Sequence, residues 1–258
     1  MKGIRKKNRY KRWFFLLLFF NLFYFGYQFI ETPSLFHYLK NRIRYIFNNP
    51  IIPKGDYIYG IDISEYQGVV VWDKALEINE ELPIDFVFIR ATAGKDHRDR
   101  FFTSNWREAS EMGVLKGAYH YFRPNENSLS QANNFINNVQ LSPGDLPPVL
   151  DIERISKVQS INSLIIGIEN WLNTVEKHYG VKPILYTGAH YYNDHLKDKF
   201  TDYTLWVANY NEVSVPINKD VWSIWQFSDN GSVKGIKGPV DLDLFQGSVD
   251  EMKKFALK

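Results

Sequence analysis

Between Tyr57 and Phe245 the chain returns eight times to a short run that is apolar at consecutive positions, not at alternate ones. The runs are YIYGIDIS (57–64), FVFIRAT (86–92), LKGAYHYF (115–122), PPVLDIE (147–153), PILYTG (183–188), TLWVANY (204–210), SIWQFS (223–228) and VDLDLF (240–245). A strand with one wet face alternates, whereas a strand that is apolar on both parities is covered on both faces. That pattern restricts the chain to a parallel or barrel sheet wrapped by helices. Three helices are predicted between the runs. Phe102–Met112 takes Thr103 or Ser104 as its cap and stops at Gly113; Ser128–Val139 is capped by Ser128; Ser160–Tyr179 ends at Gly180. Ile161, Leu164, Ile165, Ile168, Leu172 and Val175 form one stripe on the third. Beyond Tyr186 the helical period fades. The predicted fold class is α/β, a single irregular TIM-like β/α barrel whose last strands are joined mainly by loops.

The N-terminus obeys other rules. Seven Lys/Arg residues fall within residues 1–12, and the run Trp13–Ile30 is interrupted only by Asn21, Gly26 and Gln28. As a helix it is about 27 Å long, just enough to cross a bilayer core. The rival reading is a cleavable signal peptide, but ETPSLFHY after Ile30 offers no A-x-A-like site, which favours an uncleaved anchor. The organisation expected is a basic cytoplasmic tail (1–12), a single-pass transmembrane signal-anchor (13–30), a Pro-containing spacer (31–56) and an exported catalytic barrel (57–258). The localisation expected is therefore a bacterial membrane, with the barrel on the extracytoplasmic side.

Charge then narrows the partner. Residues 1–56 hold eleven Lys/Arg against two acids, leaving 20 basic and 27 acidic residues for 57–258. An acidic domain with its basic residues confined to a tail is not built for nucleic acid. The absence of cysteine removes disulfides, thiol catalysis and Cys-ligated zinc.

The fourth run, LPPVLDIE, closes an apolar strand with Asp151 and Glu153. Residues i and i+2 of a strand share a face, with Cα atoms roughly 6.6 Å apart, so the two acids repel. Repulsion and partial burial raise one pKa and leave the other group ionised, the division of labour that general acid catalysis at a glycosidic bond needs. The competing reading is a strand-end cap and a surface ion pair. Further acids sit in other strands: Asp62 in the first, Asp241 and Asp243 in the eighth. Acids at the C-terminal ends of barrel strands converge on one mouth.

In order, G-I-D-I-S-x-Y-Q-G (60–68), F-V-F-I-R-A-T-A-G (86–94), G-A-Y-H-Y-F (117–122), P-V-L-D-I-E (148–153), I-L-Y-T-G (184–188), L-W-V-A-N-Y (205–210), W-Q-F-S (225–228) and V-D-L-D-L-F (240–245) resemble the glycoside hydrolase family 25 lysozymes, the Chalaropsis-type N-acetylmuramidases. The resemblance covers about Tyr57 to Phe245 and not the N-terminal residues. It implies five β/α units plus three further strands, and hydrolysis of the β-1,4 bond between N-acetylmuramic acid and N-acetylglucosamine in peptidoglycan without a cofactor. It also implies Glu153 as general acid, Asp151 as the residue that orients the substrate acetamide, and Asp62 and Asp241 as further acids of the site. Two positions depart from the family: Asp243 stands where Asn is common and is expected to face outward, and Ala93 stands where Glu is common.

Sugar contacts are expected from Tyr66, Tyr119, Tyr121, Tyr186, Trp206, Tyr210, Trp225 and Gln226 at or beyond strand ends. His120, inside a strand, reads as a hydrogen-bonded core residue. Two other functions stay open on the residues alone. The acids could hold a hard cation for a deacetylase or phosphoesterase, although no metal is expected. The barrel could also be a non-catalytic glycan-binding module. A monomer is expected, with glycan strands and the membrane as its partners.

Overall fold

All eight apolar runs become strands of one sheet, and the sheet closes on itself. The computed structural model describes residues 50–210, 213–218 and 220–258. The strands are β1 (Tyr57–Ile63), β2 (Phe86–Ala93), β3 (Leu115–Tyr121), β4 (Val149–Asp151), β5 (Ile184–Gly188), β6 (Leu205–Ala208), β7 (Ile224–Gly231) and β8 (Val240–Gln246). Neighbours around the ring follow chain order, and the pairing of β1 with β2 and with β8 shuts it. Every residue of β2 is buried, the two-sided cover that its composition demands.

β1 to β7 are parallel neighbours, whereas β8 runs antiparallel to both β7 and β1. This corrects the placement of the eighth strand. Asp241 reaches the mouth because it stands at the start of a reversed strand, not at the C-terminal end of a parallel one. Three full helices cover the sheet: α1 (Phe102–Met112), α2 (Ser128–Asn138) and α3 (Ile161–Tyr179). The β1–β2 connection carries a small ribbon, Glu77–Ile78 with Leu82–Pro83, in place of a helix. The β5–β6 connection is a short turn, Ala189–Tyr191, continued by Tyr192–Leu196.

The predicted ends of α3 hold: the Ser160 hydroxyl accepts from the Ser163 amide, and Gly180 takes φ 71°. The other two caps are displaced. Asn127, not Ser128, caps α2, its carboxamide accepting from Ser130 N at 2.9 Å. α1 starts at Phe102 without a side-chain cap, and Thr103 instead accepts from Arg98 at 2.7 Å.

Two apolar layers hold the barrel. The lumen is packed by Phe86, Phe88, Val149, Ile184, Trp206, Ile224 and Phe245, with Met252 of the C-terminal turn joining them. Gly60 and Gly117 make room for this: a Cβ at either would stand 2.5 or 2.4 Å from the rings of Phe86 and Phe88. The larger layer lies between strands and helices. His120 belongs to it, as expected, with Nδ1 2.7 Å from Thr92 Oγ1, Nε2 3.2 Å from Gln131 Oε1 and its ring stacked on Trp171. Burial lowers its pKa to about 3.

Residues 50–56 lie against the barrel's base. Ile52 packs on the core, the Tyr59 hydroxyl donates to Pro53 O at 2.7 Å, and the Gly247 amide donates to Asp56 O at 3.0 Å. The tail, the apolar span 13–30 and the first part of the spacer fall outside the described residues. Among the described residues no helix is long and apolar enough to cross a membrane.

Candidate active site

A cavity of about 480 Å³ opens at the end of the barrel where β1 to β7 finish and β8 begins. Asp62, Asp151, Glu153 and Asp241 all line it. Register explains the convergence: Asp62 of β1 pairs with Asp241 of β8, and Asp151 ends β4 opposite Tyr121 and Tyr186. Glu153 lies two residues beyond Asp151, just past the strand, and is exposed at the lip while Asp62 and Asp151 are enclosed.

A hydrogen-bonded chain crosses the cavity. Tyr186 Oη donates to Gln226 Oε1 at 2.6 Å, Tyr210 Oη donates to the same oxygen, and Gln226 Nε2 donates to Asp62 Oδ2. Asp151 Oδ1 is buried and has no hydrogen-bond partner among the described residues. Loss of surrounding water raises all four acids, Glu153 at the lip included. Asp62 is pushed well up by burial and then by Asp243, Asp151 by burial and then by Glu153 and Asp62, and Asp241 by burial and then by Asp62. Glu153 is raised by the protein packed around it, against the pull of Arg154. Burial raises both carboxyls of the pair, and the Glu153 charge adds to the rise at Asp151.

Of the expected sugar contacts, Tyr66, Tyr119, Tyr121, Tyr186, Trp206, Tyr210 and Gln226 line the cavity. Tyr66, which is 81% exposed, stacks beneath the Arg90 guanidinium, and Tyr210 is also open to solvent. Trp206 is more floor than platform, stacked on Phe88 at 4.6 Å with Nε1 donating to Asp243 at 2.9 Å. Trp225 is absent from the cavity. It is the neighbour of Gln226 and so points to the other face, where it packs on Trp222 and Phe227 and donates to Asn209 O at 3.0 Å. Asp243 is also corrected: it shares the parity of Asp241 and lies wholly inside the lumen, not outward. Ala93 lines the cleft without offering a polar group.

Several lining residues escaped the sequence reading: Ser64, Glu65, Arg90, His97, Arg123 and Arg154. Arg90 shares the parity of Phe86 and Phe88, and once the structure turns those rings into the lumen Arg90 follows them. It is held by Asp99 at 3.1 Å and Glu65 at 3.2 Å. Burial pushes Glu65 up, but the Arg100 amide, His97 and Arg90 outweigh it and leave the carboxyl below its ordinary range. Among the described residues no group of three His, Asp or Glu side chains is set to hold a metal ion.

The comparisons with known proteins agree with this geometry. The sequence profile described as Glycosyl hydrolases family 25 matches residues 61–236. The chain is 40% identical over 205 residues to the YegX protein of Escherichia coli strain K12, covering 79% of this chain and 75% of that one. It is 30% identical over 213 residues to Lysozyme M1 of Streptomyces globisporus, covering 77% and 71%. Among solved structures, a family 25 glycosyl hydrolase from Bacillus anthracis superposes with TM-score 0.70 at 28% identity, over 81% of this chain and 98% of that one. With a family profile over most of the barrel, relatives of this identity and a closed eight-stranded ring in common, the chain belongs to glycosyl hydrolase family 25.

Proposed function

We propose that the cleft is a muramidase site that cuts the β-1,4 bond between N-acetylmuramic acid and N-acetylglucosamine in peptidoglycan. The observation that carries this reading is the pairing of an exposed, pKa-raised Glu153 with an enclosed Asp151 whose Oδ1 is an open acceptor. Glu153 holds its proton and gives it to the glycosidic oxygen as the C–O bond breaks. Asp151 accepts the N–H of the substrate acetamide and turns the acetamide oxygen toward the anomeric carbon, where it forms the new bond. Water then opens that ring, losing its proton to Glu153, and the product keeps the β configuration. Asp62 and Asp241 complete the acidic wall, and Tyr66, Tyr121 and Tyr210 offer ring faces to the sugars.

The same proposal extends to the chain's setting. Trp13–Ile30 anchors the protein once in a bacterial membrane with the basic residues inside, and the barrel acts outside as a monomer on nearby glycan strands. Retention of the full chain by membranes through a high-salt wash supports the anchor, and its release overturns it.

The activity is tested by counting reducing ends released from purified peptidoglycan by wild type and Glu153→Gln. Equal release from both ends the assignment of Glu153. Proton NMR of the first product separates the routes, since an initial α-anomer excludes attack by the acetamide.

A further inference from the structure

Asp243 takes no part in the chemistry above, yet it sits in the lumen directly beneath the cleft. Its strand register places it opposite Gly60 of β1 and Gln226 of β7, diagonal to Asp62. It is 0% exposed. One oxygen, Oδ1, accepts from Trp206 Nε1 at 2.9 Å. The carboxyl also contacts Asp62 at hydrogen-bonding range, and Oδ2 is buried with no N–H donor among the described residues. Carboxylates have acceptors only, so two carboxyls can bond to each other only when one carries a proton.

The other groups acting on the pair come from every side. Asp241 lies beside Asp243 on β8; Asp151 of β4, Glu153 beyond it, Tyr119 of β3, Tyr186 of β5 and Tyr210 beyond β6 interact with Asp62; Trp206 of β6 and Gln226 of β7 donate to Asp243 and Asp62 respectively. The carboxyls among them all disfavour a second ionisation in the enclosed lumen.

We infer that Asp62 and Asp243 are one acid pair sharing a single proton beneath the cleft, and that Asp243 is a positioning residue for Asp62. The shared proton ties Asp62 to the floor, Asp62 holds the Gln226 carboxamide, and the Gln226 oxygen gathers the hydroxyls of Tyr186 and Tyr210. Loss of that proton at high pH puts two charges side by side and loosens the whole chain of contacts. The functional half of this inference rests on the muramidase reading of the cleft.

Asp243→Asn tests it, because a carboxamide keeps the acceptor for Trp206 and gives Asp62 a donor that does not titrate. With the full chain and purified peptidoglycan, the alkaline limb of the kcat/KM profile is expected to move up by about one pH unit or more in the variant. Infrared spectra at neutral pH are expected to lose one group's share of the protonated-carboxyl C=O band in Asp243→Asn. Asp62→Asn removes the same share from the other side and serves if the first variant fails to fold. An unchanged band overturns the shared proton. A diminished band with an unmoved alkaline limb overturns the positioning role. A wild type that releases no reducing ends at any pH defeats the muramidase reading, and the infrared comparison still decides the pair.

Discussion

The floor and the mouth of the barrel are built from the same strands, two residues apart. β2 presents Phe86, Phe88 and then Arg90; β4 presents Val149 and then Asp151; β5 presents Ile184 and then Tyr186; β7 presents Ile224 and then Gln226. β8 makes the same change in reverse, from Asp241 at the mouth through Asp243 beneath it to Phe245 at the floor. The floor is dry and interlocked, and the mouth gathers acids that burial pushes toward their neutral forms. The difference teaches that register is the quantity both halves share. The packing of Phe86 and Phe88 into the spaces left by Gly60 and Gly117 fixes it, and a slip of one residue would turn every acid out of the cleft.

The comparison predicts that mouth and floor fail in different ways. Glu153→Gln is expected to lower the rate on peptidoglycan by ~10²–10⁴-fold while thermal unfolding stays almost where it was, because the side chain is exposed. A matching loss of stability would mean that the mouth is structural as well. Phe88→Ala reverses the pattern, removing a ring stacked on Trp206 and costing about 3–5 kcal/mol in urea unfolding. A cost under ~1 kcal/mol would show that the floor does not set the register.

Acidity separates lumen from outer layer more gently. His120 is depressed from about 6.5 to about 3, so the stability that comes from keeping it neutral is lost as pH falls from ~6.5 toward 3, by at most ~1.4 kcal/mol per unit. Asp151 is raised, so the folded state binds the extra proton, and stability is lost as pH rises from about 3.9 through its folded value. Unfolding free energies measured across pH should therefore lose part of their acid-side slope in His120→Gln and part of their rising-pH slope in Asp151→Asn. Parallel curves for wild type and both variants would refute the opposition. The smallest effect on turnover is expected for Trp225→Phe, which faces the outer layer: kcat and KM should stay within about twofold, and a larger change in KM would return Trp225 to the sugar-binding set.

Much of this was legible because it depends on composition and spacing. Two-sided apolarity marked all eight strands, and acids interrupting apolar runs marked Asp62, Asp151, Glu153 and Asp241. What stayed hidden depends on facing and direction. An apolar run reads the same forwards and backwards, so nothing in VDLDLF announces that β8 is reversed. Where both faces are buried, hydrophobicity does not say which is inner. Trp225 and Gln226 could not both enter the cleft, and only a neighbour of known facing could choose between them. The parity argument was available for Asp243 through Asp241, and it outranks the expectation that Asp243 faces outward. The cap of α2 was misplaced for a different reason: Asn127 and Ser128 are both good caps, and the loop's path decides between them.

The reversal of β8 brings the two ends of the barrel together. Tyr57 pairs with Gln246, and Gly247 is bonded to Asp56 at the pole opposite the cleft. A pull applied to residues ahead of Pro50 would enter a β1–β8 pairing that runs from the base to the Asp62–Asp241 step at the rim. Tension on the chain would thus be felt as shear along one seam, leaving the opposite arc of strands, β3 to β6, unloaded.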